Sequence, residues 1–339
     1  MRIAIVRTPD VPDPGPGVGA ALAQAGHRVL DLVAESGPGG SPDLTAAWAG
    51  DPPDVVHAVG APAARAAVGA GVPVVVVLAP GAADHELPVG VARVLVAGED
   101  QHTAALGHGI RRSLLRVVPA CVDTDAFAPD GPALRRGGST RLVVHGSLAR
   151  GGGAAAAVRA LSRIRGAELL LAGGSTGADP DRDRLFAAAR ELGVADRVRF
   201  LGPVPDDLLP RLLRSADVVV AAPDHDVPAT PVLQAMACAR PVVASAVGGL
   251  RDAVVDRVTG VQVRPGRPAE LALALREVLA DDALRTGYGV AGRDRAVSRF
   301  DRSRIAEALS GLYAEVAGYP AGEPDGPGPD DRAPAGVVG

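Results

Sequence analysis

The chain has 339 residues, a length that fits two domains, each large enough to bury a core of its own. Only 2% of the residues are aromatic, so the core must consist of Ala, Val and Leu. All 35 basic residues are Arg, and the lack of Lys and Asn indicates GC-rich, actinobacterial-like coding. The formal net charge of -4 leaves no basic stripe, which argues against a nucleic-acid-binding protein.

Two cysteines, Cys121 and Cys238, lie in different halves of the sequence, without the spacing of a metal site or a CxxC redox motif. This favours a reduced, cytoplasmic protein in which both are small buried residues and no metal is bound. The N-terminal segment lacks the apolar stretch of a signal peptide and predicts a first strand. The longest apolar run, Val72 to Ala79, is shorter than the roughly 18 residues of a membrane span, so no transmembrane segment is predicted.

Apolar strand patterns alternate with helical patterns from the N-terminus onward, which is typical of a doubly wound α/β fold with a parallel sheet. Fully apolar strands indicate that helices cover both faces of that sheet. We therefore expect a first domain over residues 1–130. Its strands are predicted near residues 2–6, 28–33, 54–59, 73–78, 92–96 and 114–118.

A segment rich in Gly, Pro and Arg separates this half from the next, and we predict a linker at residues 131–139. Strands and helices then alternate again, which predicts a second domain of the same class over residues 140–300, facing the first across a cleft. We predict that residues 301–317 form a C-terminal helix that packs back toward the first domain. Because residues 318–339 contain too few apolar residues to fold, we predict that they form a disordered tail.

The segment 216–266 carries the strongest functional signal. A buried strand, Asp217 to Ala222, runs into a polar, proline-rich loop, and a helix begins near Thr230. Another apolar strand follows at Pro241 to Ala246. Ligands bind where loops leave the carboxyl ends of parallel strands, and the helix N-termini there face anions. Residues 223–234 are therefore a candidate anion or sugar site.

Five segments follow one another in a characteristic order: VVPACVDTDAFAP (117–129), HGSLARGGGAAAAVRAL (145–161), AELLLAGG (167–174), DRVRFLGPVPDDLLPRLLRSADVVV (196–220) and QAMACARPVVASAVGGLRDAVVDRVTGVQV (234–263). Their order and spacing resemble those of the retaining glycosyltransferases of family four, the group 1 glycosyltransferases, over roughly residues 1–317. The resemblance implies a GT-B fold, in which two Rossmann-like domains face a cleft. It also implies metal-independent, cofactor-free transfer of a sugar from a nucleotide-diphospho-sugar of the UDP or GDP type, with retention of anomeric configuration.

In such enzymes the second domain holds the donor and the first brings the acceptor. The acceptor here is left open as a small metabolite, a glycan or a lipid, and a lipid would bring peripheral contact with a membrane. The family's donor loop carries an Arg and a Lys that stabilise the charge growing on the leaving nucleoside diphosphate. Ser147 occupies the Arg position and Gly152 the Lys position, so both cations are missing. Arg150 and the backbone N–H groups of Gly151 to Gly153 are the expected replacements.

The family's two glutamates, eight residues apart, fall on Asp226 and Gln234. Asp226 is expected to position the donor sugar, and Gln234 to hold the ribose through its amide oxygen. Pro228 and Pro231 lie between them and have no N–H to donate. The resemblance implies further donor-binding residues at Gly146, Ser147, Gly174, Val204, Thr230, Val232 and Leu233.

In the first domain, Gly17 and Gly19 belong to the loop after the first strand. His57 matches a histidine at the end of a family strand and is a candidate catalytic residue. A second histidine of the family falls on Ala79, and His85 lies nearby but out of register. The acceptor site is therefore the part that the sequence specifies least.

Two other functions stay open. A degenerate paralogue could keep the fold and act as a binding or scaffold protein, as suggested by the altered positions Ser147, Gly152, Gln234 and Ala79. A nicotinamide-dependent oxidoreductase is suggested by Gly15, Gly17, Ala20 and Asp31. However, its glycine fingerprint should follow the strand directly, and here about eight residues intervene.

Overall fold

A computed structural model describes residues 1–8, 17–33, 44, 48, 50–79 and 87–319 of the chain. They form two six-stranded sheets in which all strands pair in parallel. The first sheet has the order β2-β1-β3-β4-β5-β6. Its strands are β1 (Arg2–Arg7), β2 (Arg28–Val33), β3 (Val55–Val59), β4 (Val74–Val77), β5 (Arg93–Val96) and β6 (Leu115–Val117).

The second sheet has the order β12-β11-β10-β7-β8-β9. Its strands are β7 (Thr140–His145), β8 (Ala167–Ala172), β9 (Val198–Gly202), β10 (Val218–Ala221), β11 (Val242–Ser245) and β12 (Gly260–Val263). The prediction of two doubly wound parallel sheets is confirmed.

Helices connect the strands in both halves, as crossover connections between parallel strands require. They are α1 (Val18–Gln24), α2 (Gly60–Ala67), α3 (Glu99–Gly107), α4 (Ala154–Leu161), α5 (Pro180–Glu191), α6 (Leu209–Arg214), α7 (Thr230–Ala237), α8 (Gly248–Ala253), α9 (Pro268–Ala280), α10 (Asp282–Arg295) and α11 (Arg302–Ala317). Within the described ranges, no helix is long and apolar enough to cross a membrane.

Each sheet separates two layers of apolar side chains. In β7, Leu142 and Val144 pack into one core cluster and Val143 packs into another, because neighbouring side chains of a strand point to opposite faces. Ala4 and Ile3 of β1 divide in the same way between the two clusters of the first sheet. Covered faces on both sides explain why the middle residues of these two strands are apolar.

The segment between the two sheets is held against the second one. The amide of Leu134 donates to the Arg211 carbonyl (3.0 Å), and Arg136 pairs with Asp217 (2.5 Å). At the other end, α11 returns to the first sheet and buries Tyr313 completely. The domain boundaries given above remain a proposal, and residues 320–339 of the expected tail lie outside the described residues.

Both sheets have a point where the strand order reverses direction. In the first sheet this point lies between β1 and β3, and in the second between β7 and β10. Loops that leave two such strands diverge and open a crevice at the carboxyl edge of the sheet, where ligands bind in folds of this kind. The topology therefore gives two crevices, one in each sheet.

The two halves meet through the N-termini of α3 and α8. The Asp100 carboxylate of α3 accepts the Gly248 amide (3.0 Å) and pairs with Arg251 (2.9 Å). In return, the Asp252 carboxylate of α8 accepts the Glu99 amide (2.9 Å). Each helix thus supplies a carboxylate to the unpaired N–H groups at the start of the other.

Candidate functional site

The loop after β7 makes one wall of the crevice in the second sheet. Three of its glycines have positive φ: Gly146 (126°), Gly151 (79°) and Gly153 (97°). A Cβ atom at Gly153 would lie 2.7 Å from the carbonyl carbon of Ala222, so only glycine lets this loop approach the end of β10 so closely. The two loops of the crevice therefore pack backbone against backbone.

The predicted phosphate donors of this loop differ in their availability. The Gly152 amide already donates to the Ala149 carbonyl (3.0 Å), which closes a turn inside the loop. The Gly146 amide donates to the Ala172 carbonyl (3.0 Å) and so belongs to the sheet. The amides of Gly151 and Gly153 donate to none of the described residues. Only these last two could turn to an anion without breaking a bond.

The side chains of the loop offer one cation. Arg150 is exposed and makes no hydrogen bond or ion pair with any residue that the structure describes. Ser147 is also exposed, and its hydroxyl accepts the Ala149 amide (3.2 Å), which stabilises the turn. Arg150 is therefore free to move toward a bound anion, as expected, whereas Ser147 is used in holding the loop.

His225 is a further candidate that the sequence pattern did not identify. It is exposed, and a Cβ atom at Gly151 would lie 2.8 Å from its Cε1 and Nδ1 atoms. The next amide before it, that of Asp224, donates to the Gly151 carbonyl (2.8 Å). This places an imidazole directly over the glycine loop, beside the position where the family's Lys is missing. Only its place between the two aspartates of DHD could have drawn attention to it.

The start of α7 makes the opposite wall of the crevice. Pro231 has no N–H, and a Cβ atom at Gly146 would lie 3.6 Å from its ring. The amides of Val232 and Leu233 both donate to the Ala229 carbonyl (2.9 and 3.0 Å), and both side chains are buried. These two predicted donor-binding residues therefore offer a ligand neither side chain nor amide in this conformation. Their role is to pack α7 against the second sheet.

Three polar atoms are buried at this edge without a partner among the described residues. They are Nδ1 of His145, Oγ1 of Thr230 and Oε1 of Gln234. His145 ends β7, and Thr230 and Gln234 lie one turn apart on the same face of α7. Burial lowers the pKa of His145, whereas the Ala172 carbonyl, the Gln234 side chain and the Asp206 charge raise it. Burial has the larger effect, which favours a neutral imidazole.

Buried polar atoms nearly always have partners. The His145 and Gln234 side chains lie close enough to interact with each other, and their unsatisfied atoms, together with Oγ1 of Thr230, leave room for the hydrogen bonds of a polar ligand. Sequence reasoning identified Thr230 and Gln234 but not His145. The signal for His145 was its place immediately before Gly146, at the carboxyl end of the first strand of this sheet.

Asp226 is half-buried on the loop after β10. Its carboxylate accepts the Gly249 amide (3.3 Å), at the start of α8, and a Cβ atom at Gly248 would overlap it. Asp226 thus lies between the candidate site and the contact of α8 with α3. To reach a sugar, its carboxylate would have to share or exchange this bond.

Two other predicted donor-binding residues, Gly174 and Val204, make contacts with other parts of the second domain. Gly174 has φ of 83°, and a side chain there would overlap Asp179, which accepts the amides of Ser175, Asp181 and Arg182 around the start of α5. Val204 is half-buried and packs against the core cluster that contains Leu233. Within the described ranges, no three His, Cys, Asp or Glu side chains come close enough to hold a metal ion.

His57 belongs to the other crevice, in the first sheet. It is only 6% exposed, and its Nδ1 atom lies 2.5 Å from the Tyr313 hydroxyl of α11. Burial lowers the pKa of His57 to about 4 and raises that of Tyr313, so both are neutral at pH 7. His57 thus belongs to the first sheet and Asp226 and Arg150 to loops of the second, and their grouping as catalytic residues stays a prediction.

The other predicted residues of the first half line or flank the same crevice. Gly17 has φ of 99° and directly precedes α1, and a Cβ atom at Gly19 would lie 3.2 Å from the Ile5 side chain. Ala79 is half-buried after β4. His85 and Gly15 lie outside the described residues.

Asp31 argues against a dinucleotide site in the first sheet. Its carboxylate makes two hydrogen bonds with the Arg7 guanidinium (2.9 and 2.6 Å) instead of remaining open to a ribose. In addition, β1 ends at Arg7 and α1 begins at Val18, a separation longer than the tight strand-to-helix turn of a dinucleotide fingerprint.

Comparison with known proteins agrees with this geometry. Residues 134–295 match the family described as Glycosyl transferases group 1. The chain is 41% identical over 170 residues to D-inositol 3-phosphate glycosyltransferase of Salinispora arenicola, a match that covers 49% of this chain and 38% of the relative. It is 32% identical over 263 residues to the protein of that name from Corynebacterium jeikeium, covering 72% of this chain and 61% of the relative. The matches thus span less than two thirds of these curated relatives.

A solved structure shows the same fold. Anabaena Alr3699/HepE in complex with UDP and glucose superposes with a TM-score of 0.78 at 20% identity, covering 93% of this chain and 100% of that one. The two parallel sheets and their facing edges define a protein of the GT-B fold class. Residues 134–295 of the chain belong to the group 1 glycosyltransferase family.

Proposed function

We propose that this protein transfers a sugar from a nucleotide-diphospho-sugar to an acceptor, with retention of anomeric configuration and without a metal ion. The observation that carries the proposal is the group of orphaned buried atoms on His145, Thr230 and Gln234. A nucleoside diphosphate has ribose hydroxyls, which donate and accept hydrogen bonds, and phosphate oxygens, which accept them. Such a ligand, bound where the strand order of the second sheet reverses, would give hydrogen-bond partners to all three atoms.

Each group at the crevice has a role in this proposal. Gln234 holds the ribose, and the free amides of Gly151 and Gly153 bind the diphosphate. Arg150 supplies the positive charge that stabilises the leaving diphosphate, with His225 beside it. Asp226 positions the donor sugar. The neutral His145 at the end of β7 serves as a hydrogen-bonding group rather than as a charge.

The relatives support the class of donor. HepE is described in complex with UDP and glucose, and the curated relatives are named D-inositol 3-phosphate glycosyltransferases. A UDP- or GDP-linked sugar is therefore the donor we propose. We do not propose the relatives' acceptor for this chain, because the family match covers residues 134–295 and the acceptor is expected to bind to the first half.

The test is calorimetric titration of the full chain with UDP, GDP and ADP, followed by transfer or hydrolysis assays with the matching nucleotide-sugars. Gln234→Leu removes the proposed ribose acceptor and should weaken nucleotide binding by roughly tenfold, about one hydrogen bond. Gln24→Leu, on the exposed face of α1, makes the same change of side chain away from the site and should leave binding unaltered. Equal binding by both variants would contradict the proposed site.

A catalytically degenerate scaffold protein is the second candidate. Two observations favour it: the Gly152 amide is used within its own loop, and Asp226 is engaged by the start of α8. If the chain is a scaffold, no nucleotide will bind up to millimolar concentration and no nucleotide-sugar will be consumed. Measurable binding without turnover would indicate a protein that keeps the site but has lost the reaction.

A further inference from the structure

The crevice of the first sheet contains a cavity of about 210 Å³ that opens to solvent. It lies where β1 and β3 diverge, and α11 closes one side with Ile305 and Leu309. This volume is somewhat below the roughly 300–1,000 Å³ of sites for drug-sized ligands, so the cavity suits a small ligand. The cavity therefore has both the size and the topological position of a binding site.

The described lining of this cavity is mostly aliphatic. Side chains of Ile5, Val59, Val77, Leu78, Leu95 and Val118 contribute from the strands and the loops after them. Burying an apolar ligand against such a surface is favourable, whereas a polar ligand would lose hydrogen bonds to water without replacement.

No unpaired charge is available among the described residues that line the cavity. Arg7 and Asp31 are its charged residues, and they neutralise each other through two hydrogen bonds. His57 is neutral, because burial lowers its pKa to about 4, and its Nδ1 atom is bonded to Tyr313. A phosphate group placed here would have no cation of its own to pair with.

We propose that the acceptor of this protein is a neutral alcohol with an aliphatic or aromatic body, bound in the cavity of the first sheet. The inference rests on the proposed glycosyl transfer and names its acceptor class. It sets this chain apart from relatives named for a phosphorylated inositol, a small, strongly polar anion. Such an alcohol can come from a soluble compound or from a membrane lipid, since both present the same chemistry to the cavity.

The cavity can be tested without a sugar donor. The full chain is titrated with N-phenyl-1-naphthylamine, a neutral apolar dye whose fluorescence rises on burial, and the dye is then displaced by competitors. In the series 1-hexanol, 1-heptanol and 1-octanol, each added methylene should improve displacement by about fourfold. D-inositol 3-phosphate should not displace the dye. Displacement by the inositol phosphate, or no dependence on chain length, would overturn the proposal.

A pair of variants on α1 places the dye in this cavity. Ala20 is exposed and lines the mouth, so Ala20→Phe should weaken dye binding by at least about tenfold without disturbing the core. Ala23, also exposed on α1, is outside the lining, and Ala23→Phe should bind the dye like the unaltered chain. Absent dye binding, or equal binding by both variants, would refute an apolar site here.

Two further measurements separate this inference from the proposed function and identify the source of the alcohol. If alcohols bind but UDP, GDP and ADP do not, the ligand class of the cavity stands and the glycosyltransferase proposal fails. If nucleotides bind and alcohols do not, the acceptor class fails alone. Flotation with phosphatidylcholine vesicles containing 1-dodecanol distinguishes the sources: alcohol-dependent flotation indicates a membrane lipid, and its absence beside binding of free 1-octanol indicates a soluble acceptor.

Discussion

The burial of His57 predicts how the stability of the protein depends on pH. Its pKa is 6.5 in an unfolded chain and about 4 in the fold, so the unfolded state binds a proton first as the pH falls. The stability is fully present above pH 6.5 and is lost progressively between pH 6.5 and 4. Each pKa unit corresponds to about 1.4 kcal/mol, so His57 alone removes up to roughly 3 kcal/mol of unfolding free energy.

Urea unfolding at pH 7.0, 6.0 and 5.0 measures this effect. His57→Gln keeps a polar side chain that can reach Tyr313 but does not titrate. The free energy of unfolding of this variant should therefore change less with pH than that of the unaltered chain. The difference between them should grow by about 2 kcal/mol from pH 7.0 to 5.0. His145, whose pKa burial also lowers, titrates in both proteins and cancels in this comparison. If the free energy of unfolding depends on pH in the same way in both proteins, His57 accepts a proton in the fold, contrary to its observed environment.

Three other substitutions test the two crevices. Gly153→Ala should destabilise the fold by roughly 2–5 kcal/mol in urea unfolding, because it adds a backbone clash with Ala222 to the strain of positive φ. Gly166→Ala, at φ of 70° with nothing near its Cβ, should lose only about 1–2 kcal/mol, and equal losses would contradict the close approach of the loops. Arg150→Gln should weaken UDP binding in calorimetry by roughly tenfold, whereas Arg112→Gln, an exposed change in the first half, should not. Asp31→Asn removes a negative charge beside Arg7 at the cavity and should raise the affinity of the chain for inorganic phosphate by roughly two- to fivefold, and unchanged affinity would mean that this carboxylate does not exclude anions.

The fold was predictable from the sequence because its strands are buried on both faces. Runs such as Val74–Val77 and Val218–Ala221 have no polar residue to interrupt them, so their positions follow from composition alone. The reversal of strand order in each sheet could not be read in this way. It depends on which strands pair across the sheet, and the apolar runs of the central strands do not specify which neighbour each of them takes.

The candidate site was predictable where chemistry follows spacing along one segment. Thr230 and Gln234 lie one helical turn apart on α7, and each has a buried oxygen without a partner among the described residues. Contacts between segments far apart in the sequence could not be predicted from residue spacing. The imidazole of His225 over Gly151 depends on how two loops pack, and the loss of the Gly152 amide to Ala149 depends on the turn that the loop adopts. Neither leaves a signature in residue spacing.

The aspartate at position 226, where the family has a glutamate, has a physical reason in this structure. Its carboxylate accepts the Gly249 amide, and Asp100 accepts the neighbouring Gly248 amide from the other half of the chain. Two carboxylates therefore lie at the N-terminus of α8. The positive end of the helix dipole stabilises both negative charges there. The space is tight, because even a methyl group at Gly248 would overlap Asp226. A glutamate has one more methylene to place in this gap, so the shorter side chain and the glycine are matched to each other. Asp226, which we propose to position the donor sugar, is therefore hydrogen-bonded to the helix through which the two halves of the chain meet.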